Sequence, residues 1–105
     1  MILDLSFPPN ASVNLGIFDS DASVSYEGLD FVIDKIIEAG RGCWLSKFDI
    51  QSAYRILPVH PDDRYLLGMR WERFYFVDLT LSFGGRSATS IFTAFADMLK
   101  GILSI

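Results

Sequence analysis

Residues 45–54 read LSKFDIQSAY, and this stretch decides the fold that we expect. An apolar run ends there in a single carboxylate, Asp49, and a tight turn and the ring of Tyr54 follow. We predict a strand over residues 43–50, apolar enough to be central in a sheet, and a helical turn over residues 51–54. A strand with one Asp at its tip commonly holds a divalent metal over a nucleotide. The alternative is that Asp49 caps the turn and Tyr54 packs in the core.

Three further elements follow from the pattern of apolar residues. Apolar positions at three-and-four spacing predict an amphipathic helix over residues 29–39, which the following glycines end. Two aromatic-rich runs, 65–71 and 74–81, flank the pair Glu72-Arg73 and predict a β-hairpin. A Gly-containing loop then leads into a final helix that begins near Ser87.

The remaining stretches are predicted to be less regular. Residues 1–5 resemble a short strand, and residues 6–26, with two prolines and scattered small polar residues, predict a long loop. Pro58 and Pro61 are expected to rule out regular structure around His60. The order β-loop-α-β-ββ-α predicts a mixed α+β domain.

Composition narrows the class of protein. The 105 residues are half apolar, which indicates globular material, and the net charge is −4. Residues 1–40 hold one Lys and seven Asp or Glu, whereas residues 41–105 hold eight Lys or Arg and six Asp or Glu. The second part is therefore less repelled by phosphate. So high an apolar fraction also suggests that some apolar surface belongs against a partner.

The single cysteine, Cys43, excludes an intramolecular disulfide and a cysteine-based zinc site, and with one histidine no His/Cys metal cluster forms. The first residues lack the basic start and long apolar run of a signal peptide, and no apolar stretch is long enough to span a bilayer. We therefore expect a soluble intracellular protein with no membrane partner.

The chemistry expected at Asp49 is nucleotidyl transfer assisted by two metal ions. Mg²⁺ prefers hard oxygen ligands, and the Ile50 carbonyl is expected beside the Asp49 carboxylate as a second ligand. The amides of Ser52 and Ala53 would point to phosphate oxygens, since small side chains leave room there. Tyr54 would lie beneath the sugar and exclude a 2′-hydroxyl by collision.

A second segment, residues 81–88 (LSFGGRSA), strengthens this interpretation. A Gly-rich turn at a helix start allows close approach of a nucleotide, and a helix N-terminus favours anions. Alone, Gly84-Gly85 also fits an ordinary loop, and Ser87 an ordinary helix cap.

Taken together, these motifs resemble reverse transcriptases over nearly the whole chain, most closely those of retrotransposons that also encode a tyrosine recombinase, the DIRS-type elements. The segments that carry the resemblance are ILDLS (2–6), SVN (12–14), KFDIQSAYR (47–55), PVHP (58–61), LGM (67–69), FVD (76–78) and LSFGGRSA (81–88). The resemblance implies an α+β fold in which a small mixed, mainly antiparallel sheet is packed by two helices. Residues 1–42 would be the fingers-side segment, and residues 43–105 the palm portion with the first two active-site motifs.

The resemblance also implies a role for each motif residue. Asp49 would be the first catalytic carboxylate and would bind Mg²⁺, with Mn²⁺ as an alternative, together with the Ile50 carbonyl. The residues implied to bind the incoming dNTP are Ser52, Ala53, Tyr54 as the steric gate, Phe83 and Gly84. Gly85 and Arg86 are implied to contact the template, and residues 58–61 to form a structural turn. The implied partners are an RNA or DNA template with primer, dNTPs and the rest of the polymerase polypeptide.

Three positions depart from the family pattern, which usually has Pro at Ser82, a larger apolar residue at Gly85 and Pro at Thr89. The family also carries two adjacent aspartates in a hairpin beyond the final helix. The pair Asp62-Asp63 lacks apolar strands on both sides and is expected to form a turn or helix cap.

Since Asp49 alone cannot hold two metals, we expect the isolated chain to be inactive. In the family the strand that ends at Asp49 pairs with the hairpin of the two aspartates, so we also expect one bare sheet edge and poor solubility or self-association. The alternatives are a non-catalytic module that binds nucleic acid or protein on the same scaffold, or a small α+β domain in which Asp49 merely caps a turn.

Overall fold

The computed structural model of the chain describes residues 3–104 and has the α+β composition expected from the sequence. In the described residues the α-helices are α1 (Asp19–Ala22), α2 (Leu29–Ala39) and α3 (Ala88–Leu103). The strands are β1 (Gly68–Trp71) and β2 (Phe74–Val77). Short 3₁₀ helices cover Val13–Gly16, Ala53–Ile56 and Pro61–Leu67.

The predicted amphipathic helix is confirmed as α2, with the bounds that the apolar spacing indicated. Gly40 ends it with φ +82°, and its N–H donates to the carbonyls of Ile36 and Ile37. A residue with a Cβ rarely adopts this backbone conformation, so glycine suits the position. All eleven residues of α2 remain exposed, including the apolar stripe.

The final helix is confirmed as α3, which begins directly after Ser87. Its first residue, Ala88, is the most buried apolar residue of the described chain at 2 % exposure. Phe92 and Phe95 lie half-buried further along, with ring centroids 6.3 Å apart. Helix α3 contacts α1 and the 3₁₀ helix Ala53–Ile56, so it holds together segments that are distant in sequence.

The predicted hairpin is confirmed in place but is shorter than expected. β1 and β2 pair antiparallel, with Gly68 opposite Val77 and Trp71 opposite Phe74, and the turn lies at Glu72-Arg73. Glu72 has φ +52°, which suits the right-handed twist of a two-residue hairpin turn.

The strands end early because the flanking residues make other bonds. Residues 65–67 belong to the 3₁₀ helix Pro61–Leu67, and after β2 the hairpin pairing continues only through the Asp78 N–H, which donates to the Leu67 carbonyl at 3.2 Å. The following residues turn to another segment, with an isolated bridge between Pro58 and Thr80. The prediction that prolines exclude regular structure around His60 was therefore wrong. Pro61 occupies the first helical position, where no N–H is needed, and the His60 ring accepts the Asp62 N–H at 3.3 Å. The pair Asp62-Asp63 lies in the first turn of this helix, close to the turn or cap that we expected.

The predicted strand over residues 43–50 is not formed. A strand requires a neighbour to accept its hydrogen bonds, and no described segment pairs with these residues. Trp44 is 99 % exposed and Phe48 78 % exposed.

The predicted N-terminal strand falls partly on residues 1–2, outside the described residues, and residues 3–5 are irregular. The sheet is thus a two-stranded antiparallel ribbon in the described chain, and its exposed faces are not packed by two helices as expected.

The long loop predicted over residues 6–26 contains two short helices instead, Val13–Gly16 and α1. The Ser12 hydroxyl accepts the Leu15 N–H at 3.3 Å and caps the first of them. This segment lies against the start of α3. Its contacts with the rest of the chain, rather than its local sequence, give it order.

Little of the chain is enclosed. The buried apolar residues in the described part are Leu5, Leu67 and Ala88, and the buried polar ones are Asp78 and Ser82. The accessible surface is 8857 Å², against about 5,900 Å² expected for a folded monomer of this mass. The shape is elongated, 61 × 25 × 22 Å. None of the described helices has both the length and the apolar character needed to cross a bilayer.

Candidate functional site

The structure brings the two motif segments together through Tyr54 and Phe83. Their ring centroids lie 5.0 Å apart at an interplanar angle of 57°. The 3₁₀ helix Ala53–Ile56 turns Tyr54 towards α3, where Phe92 meets it edge-on at 5.3 Å. The Tyr54 hydroxyl lies 3.1 Å from the Thr89 Oγ1 atom. Two segments that are separate in sequence therefore share one aromatic cluster, which we define as Tyr54, Phe83 and Phe92.

Asp49 is exposed at the end of the irregular segment that precedes this cluster. Its carboxylate accepts no hydrogen bond and forms no ion pair with any residue between 3 and 104. The turn after it is closed instead by the Ala53 N–H, which donates to the Ile50 carbonyl at 3.3 Å. The alternative in which Asp49 caps this turn is therefore wrong, and the carboxylate remains free to bind a ligand.

The oxygen donors near Asp49 fit part of a magnesium site. They are the Asp49 carboxylate and the Ile50 carbonyl, which keeps a second lone pair after accepting the Ala53 N–H. Within the described residues, no three His, Cys, Asp or Glu side chains converge on a common point. Mg²⁺ is usually held by one or two carboxylates plus substrate phosphates, so this donor set suits a site that a nucleotide completes.

Of the two backbone amides predicted to bind phosphate, that of Ala53 already has a hydrogen-bond acceptor within the chain, and that of Ser52 has none among the described residues. The Ala53 N–H is used within the turn, which corrects its predicted role as a free donor. The Ser52 N–H donates to no partner in the described chain, and Ser52 is exposed. Ser52 adopts the left-handed conformation, with φ +60° and ψ 13°, which costs a non-glycine residue about 1 kcal/mol. Such strain is concentrated at functional sites.

The loop before α3 is held by a residue to which sequence reasoning gave no role, Asn14. Its Nδ2 donates to the Gly84 carbonyl at 2.9 Å, and its Oδ1 accepts the Arg86 N–H at 2.7 Å. Gly84 has φ +103°, which explains the need for glycine there. One side-chain amide thus fixes both sides of the turn that presents Phe83, which is 48 % exposed.

The predicted template contacts are engaged inside the chain. Arg86 forms an ion pair with Asp19 and donates to the Ile17 carbonyl at 3.2 Å. A methyl group added to Gly85 would lie 3.7 Å from both Ala88 and Leu5, so Gly85 faces the interior of the loop. Of these two residues, Arg86 keeps a half-exposed side chain and remains the better candidate for a nucleic-acid contact.

An ion pair with a buried carboxylate, which the sequence analysis missed, lies at the end of β2. Arg55 donates to the Asp78 Oδ2 atom, and Asp78 Oδ1 accepts the Thr80 N–H at 3.3 Å. Burial by itself would raise the pKa of Asp78, but the hydrogen bond from Arg55 and those from Thr80 together lower this pKa below its usual 3.8. Both charged residues belong to the quoted motifs, at the ends of KFDIQSAYR and FVD. Only the tertiary structure pairs them.

An apolar cavity in the described part of the chain is separate from this site. It measures about 590 Å³ and lies between the segment around Val13, residues 57–67 and residues 81–91. Its lining includes Gly85 but not Asp49, Tyr54 or Phe83. The candidate site is therefore an open surface formed by Asp49, the turn at Ser52 and the aromatic cluster.

Comparison with protein-family models, curated proteins and solved structures finds no match for this chain. The function of the site has therefore to be argued from its residues.

Proposed function

We propose that this chain is the fingers-to-palm part of an RNA-directed DNA polymerase of a retrotransposon. The observation that carries the proposal is the contact between Tyr54 and Phe83, since it joins the two motifs that the resemblance assigns to one nucleotide site. The Asp49 carboxylate, exposed and without a partner among residues 3–104, supports it further.

In this proposal each residue has a limited task. Asp49 and the Ile50 carbonyl hold Mg²⁺, which when bound polarises the primer 3′-hydroxyl and offsets charge on the triphosphate. The Ser52 N–H donates to a phosphate oxygen, and the aromatic cluster supports the sugar and base. Arg86 supplies positive charge towards the template.

The proposal also assigns the rest of the polymerase polypeptide as a partner. A two-metal site needs more carboxylates than Asp49, and the excess of exposed apolar surface suits coverage by further protein. Template, primer and dNTPs would then bind across the completed surface.

Nucleotide binding tests the proposal. We expect Mg²⁺-dependent binding of a dNTP to the chain, measured by calorimetry or nuclear magnetic resonance, and loss of that binding in Asp49→Ala. Asp62→Ala, another exposed aspartate, is the matched control and should bind normally. Binding that is insensitive to Asp49→Ala would overturn the assignment. The isolated chain should not incorporate labelled dTTP on poly(rA) with an oligo(dT) primer.

A second candidate function is a non-catalytic module that binds nucleic acid. The exposed hairpin favours it, because Arg70 lies 5.8 Å from the centre of the exposed Tyr75 ring and Arg73 lies 5.2 Å from that of Phe74. Exposed aromatics interleaved with arginines bind single strands by stacking and charge. Retention of a primer–template in a gel, unchanged by EDTA and by Asp49→Ala, would favour this function.

A further inference from the structure

The Tyr54 side chain is held from three directions. Phe83 and Phe92 pack on its ring at centroid distances of 5.0 Å and 5.3 Å. The third contact is polar, between the Tyr54 hydroxyl and Thr89 Oγ1 at 3.1 Å. Both residues are half-buried, so this hydrogen bond is partly shielded from water.

Thr89 is well placed to fix the ring. It is the second residue of α3, in the first turn of the helix, and the helix holds its backbone in one position. Without the hydrogen bond, the two aromatic neighbours would still favour the same ring position, but neither would restrain the hydroxyl end. The hydroxyl of Thr89 therefore supplies the directional part of the restraint.

The residue at this position is also a departure from the family pattern, in which proline is usual. A proline has no hydroxyl and leaves a tyrosine hydroxyl without this partner. The hydrogen bond is thus a property of this chain and not one carried over by the resemblance.

We infer that Thr89 is a positioning residue that holds Tyr54 rigid against the nucleotide sugar and so increases discrimination against ribonucleotides. The inference rests on the proposed function. The Tyr54 ring can exclude a ribose 2′-hydroxyl by collision only if the ring keeps its position. Without the hydrogen bond to Thr89, the ring can move away from the 2′-hydroxyl at a lower cost in free energy. Thr89 itself touches no substrate in this scheme.

The test compares binding of Mg·dATP and Mg·ATP to the chain, to four variants of the Tyr54–Thr89 pair and to Asp49→Ala. Thr89→Val keeps the branched shape and removes the hydroxyl, Thr89→Ser keeps the hydroxyl, and Tyr54→Phe removes the other end of the bond. We expect the preference for dATP to fall roughly three- to tenfold in Thr89→Val and Tyr54→Phe, the range that one hydrogen bond supplies. Thr89→Ser should retain it, and the double variant Tyr54→Phe/Thr89→Val should lose no more than either single variant.

Asp49→Ala separates the inference from the proposed function. If it abolishes binding of both nucleotides while Thr89→Val leaves their ratio unchanged, the role of Thr89 is overturned and the proposed function stands. If wild-type protein binds neither nucleotide, or binds both independently of Asp49, the proposed function fails and the inference fails with it. A thermal unfolding scan of each variant identifies any loss of binding that comes from misfolding.

Discussion

Arg55 forms an ion pair with Asp78 in which the two partners differ in exposure, since the Asp78 side chain is 6 % exposed and that of Arg55 49 %. The carboxylate has been removed from water, while the guanidinium still reaches solvent. The pair links the 3₁₀ helix that contains Tyr54 to the end of β2, and so connects the candidate site to the hairpin.

The stability of the chain should depend on pH through Asp78. Its pKa is lowered in the folded state, so its contribution is fully present above the unfolded value, near 3.8, and is lost as the pH falls through the folded value. We expect the free energy of unfolding in urea to decrease below pH 4 for wild-type protein. Asp78→Asn should flatten this decrease and Asp62→Asn should not, and equal curves for the two variants would contradict the assignment.

Removal of Arg55 should be more harmful than removal of another arginine. Arg55→Met leaves the buried Asp78 carboxylate without its charged partner, and we expect the free energy of unfolding to fall by about 2 kcal/mol. The loss should be smaller than for a fully buried pair, because Arg55 is half-exposed and water screens its charge. Arg41→Met, at an exposed position whose side chain makes no hydrogen bond or ion pair within residues 3–104, should change stability by no more than about 0.5 kcal/mol. Urea unfolding measures both, and a cost as small for Arg55→Met as for Arg41→Met would show that the pair is not formed in solution.

Asn14 should be important for the loop that carries Phe83. Asn14→Ala removes the bonds to Gly84 and Arg86, together with one from Nδ2 to the Ser6 hydroxyl at 2.8 Å, and should destabilise the chain by about 2 kcal/mol. Asn10→Ala is the matched control, because the Asn10 side chain makes no hydrogen bond within residues 3–104. Hydrogen exchange should show faster exchange of the Arg86 amide in Asn14→Ala alone.

Asp19 should limit the access of nucleic acid to Arg86. Asp19→Asn removes the negative charge paired with the guanidinium, and we expect affinity for a single-stranded oligonucleotide at low salt to rise about threefold. Asp21→Asn makes the same charge change in α1 at a side chain that forms no ion pair in the described chain, and should have a smaller effect. An equal gain in both variants would attribute the effect to net charge rather than to Arg86.

The exposed apolar face of α2 should cause self-association. Leu29 and Ile37 are 74 % and 71 % exposed, and apolar surface of this extent is rare on a monomer. Light scattering should show mass increasing with concentration for wild-type protein and a smaller increase for Leu29→Lys/Ile37→Lys. Ser20→Lys/Ser46→Lys adds the same charge at exposed polar positions and should behave as wild type. A wild-type mass that stays at that of the monomer at every concentration would contradict the prediction.

Local sequence predicted the elements whose structure is stabilised locally. The spacing of Val32 and Ile36 sets α2, and the polar pair Glu72-Arg73 sets the hairpin turn, so both were found in place. Residues 43–50 are apolar enough for a strand, but a strand depends on a partner that local composition does not supply. Residues 12–22 were assigned to a loop because their order comes from bonds to residues beyond position 80.

At the candidate site, too, features that depend on residues distant in sequence could not be predicted from the local sequence. Tyr54 and Phe83 belong to motifs that the sequence displays, but their contact is a finding of the structure. Thr89, Asn14 and the Arg55–Asp78 pair were missed, because each acts through a partner more than twenty residues away. A serine with positive φ at position 52 was equally invisible, since the residue type gives no sign of that conformation.

The exposure of Trp44 gives the chain an intrinsic optical probe. This indole lies five positions before Asp49 and is 99 % exposed, so its fluorescence should have the long emission wavelength of tryptophan in water and be quenched readily by acrylamide. Trp71, at 71 % exposure, reports on the hairpin, and replacing it with phenylalanine leaves Trp44 as the single emitter. Any molecule that covers the segment before Asp49 will shift that emission to shorter wavelength, which gives a titration signal without an added label.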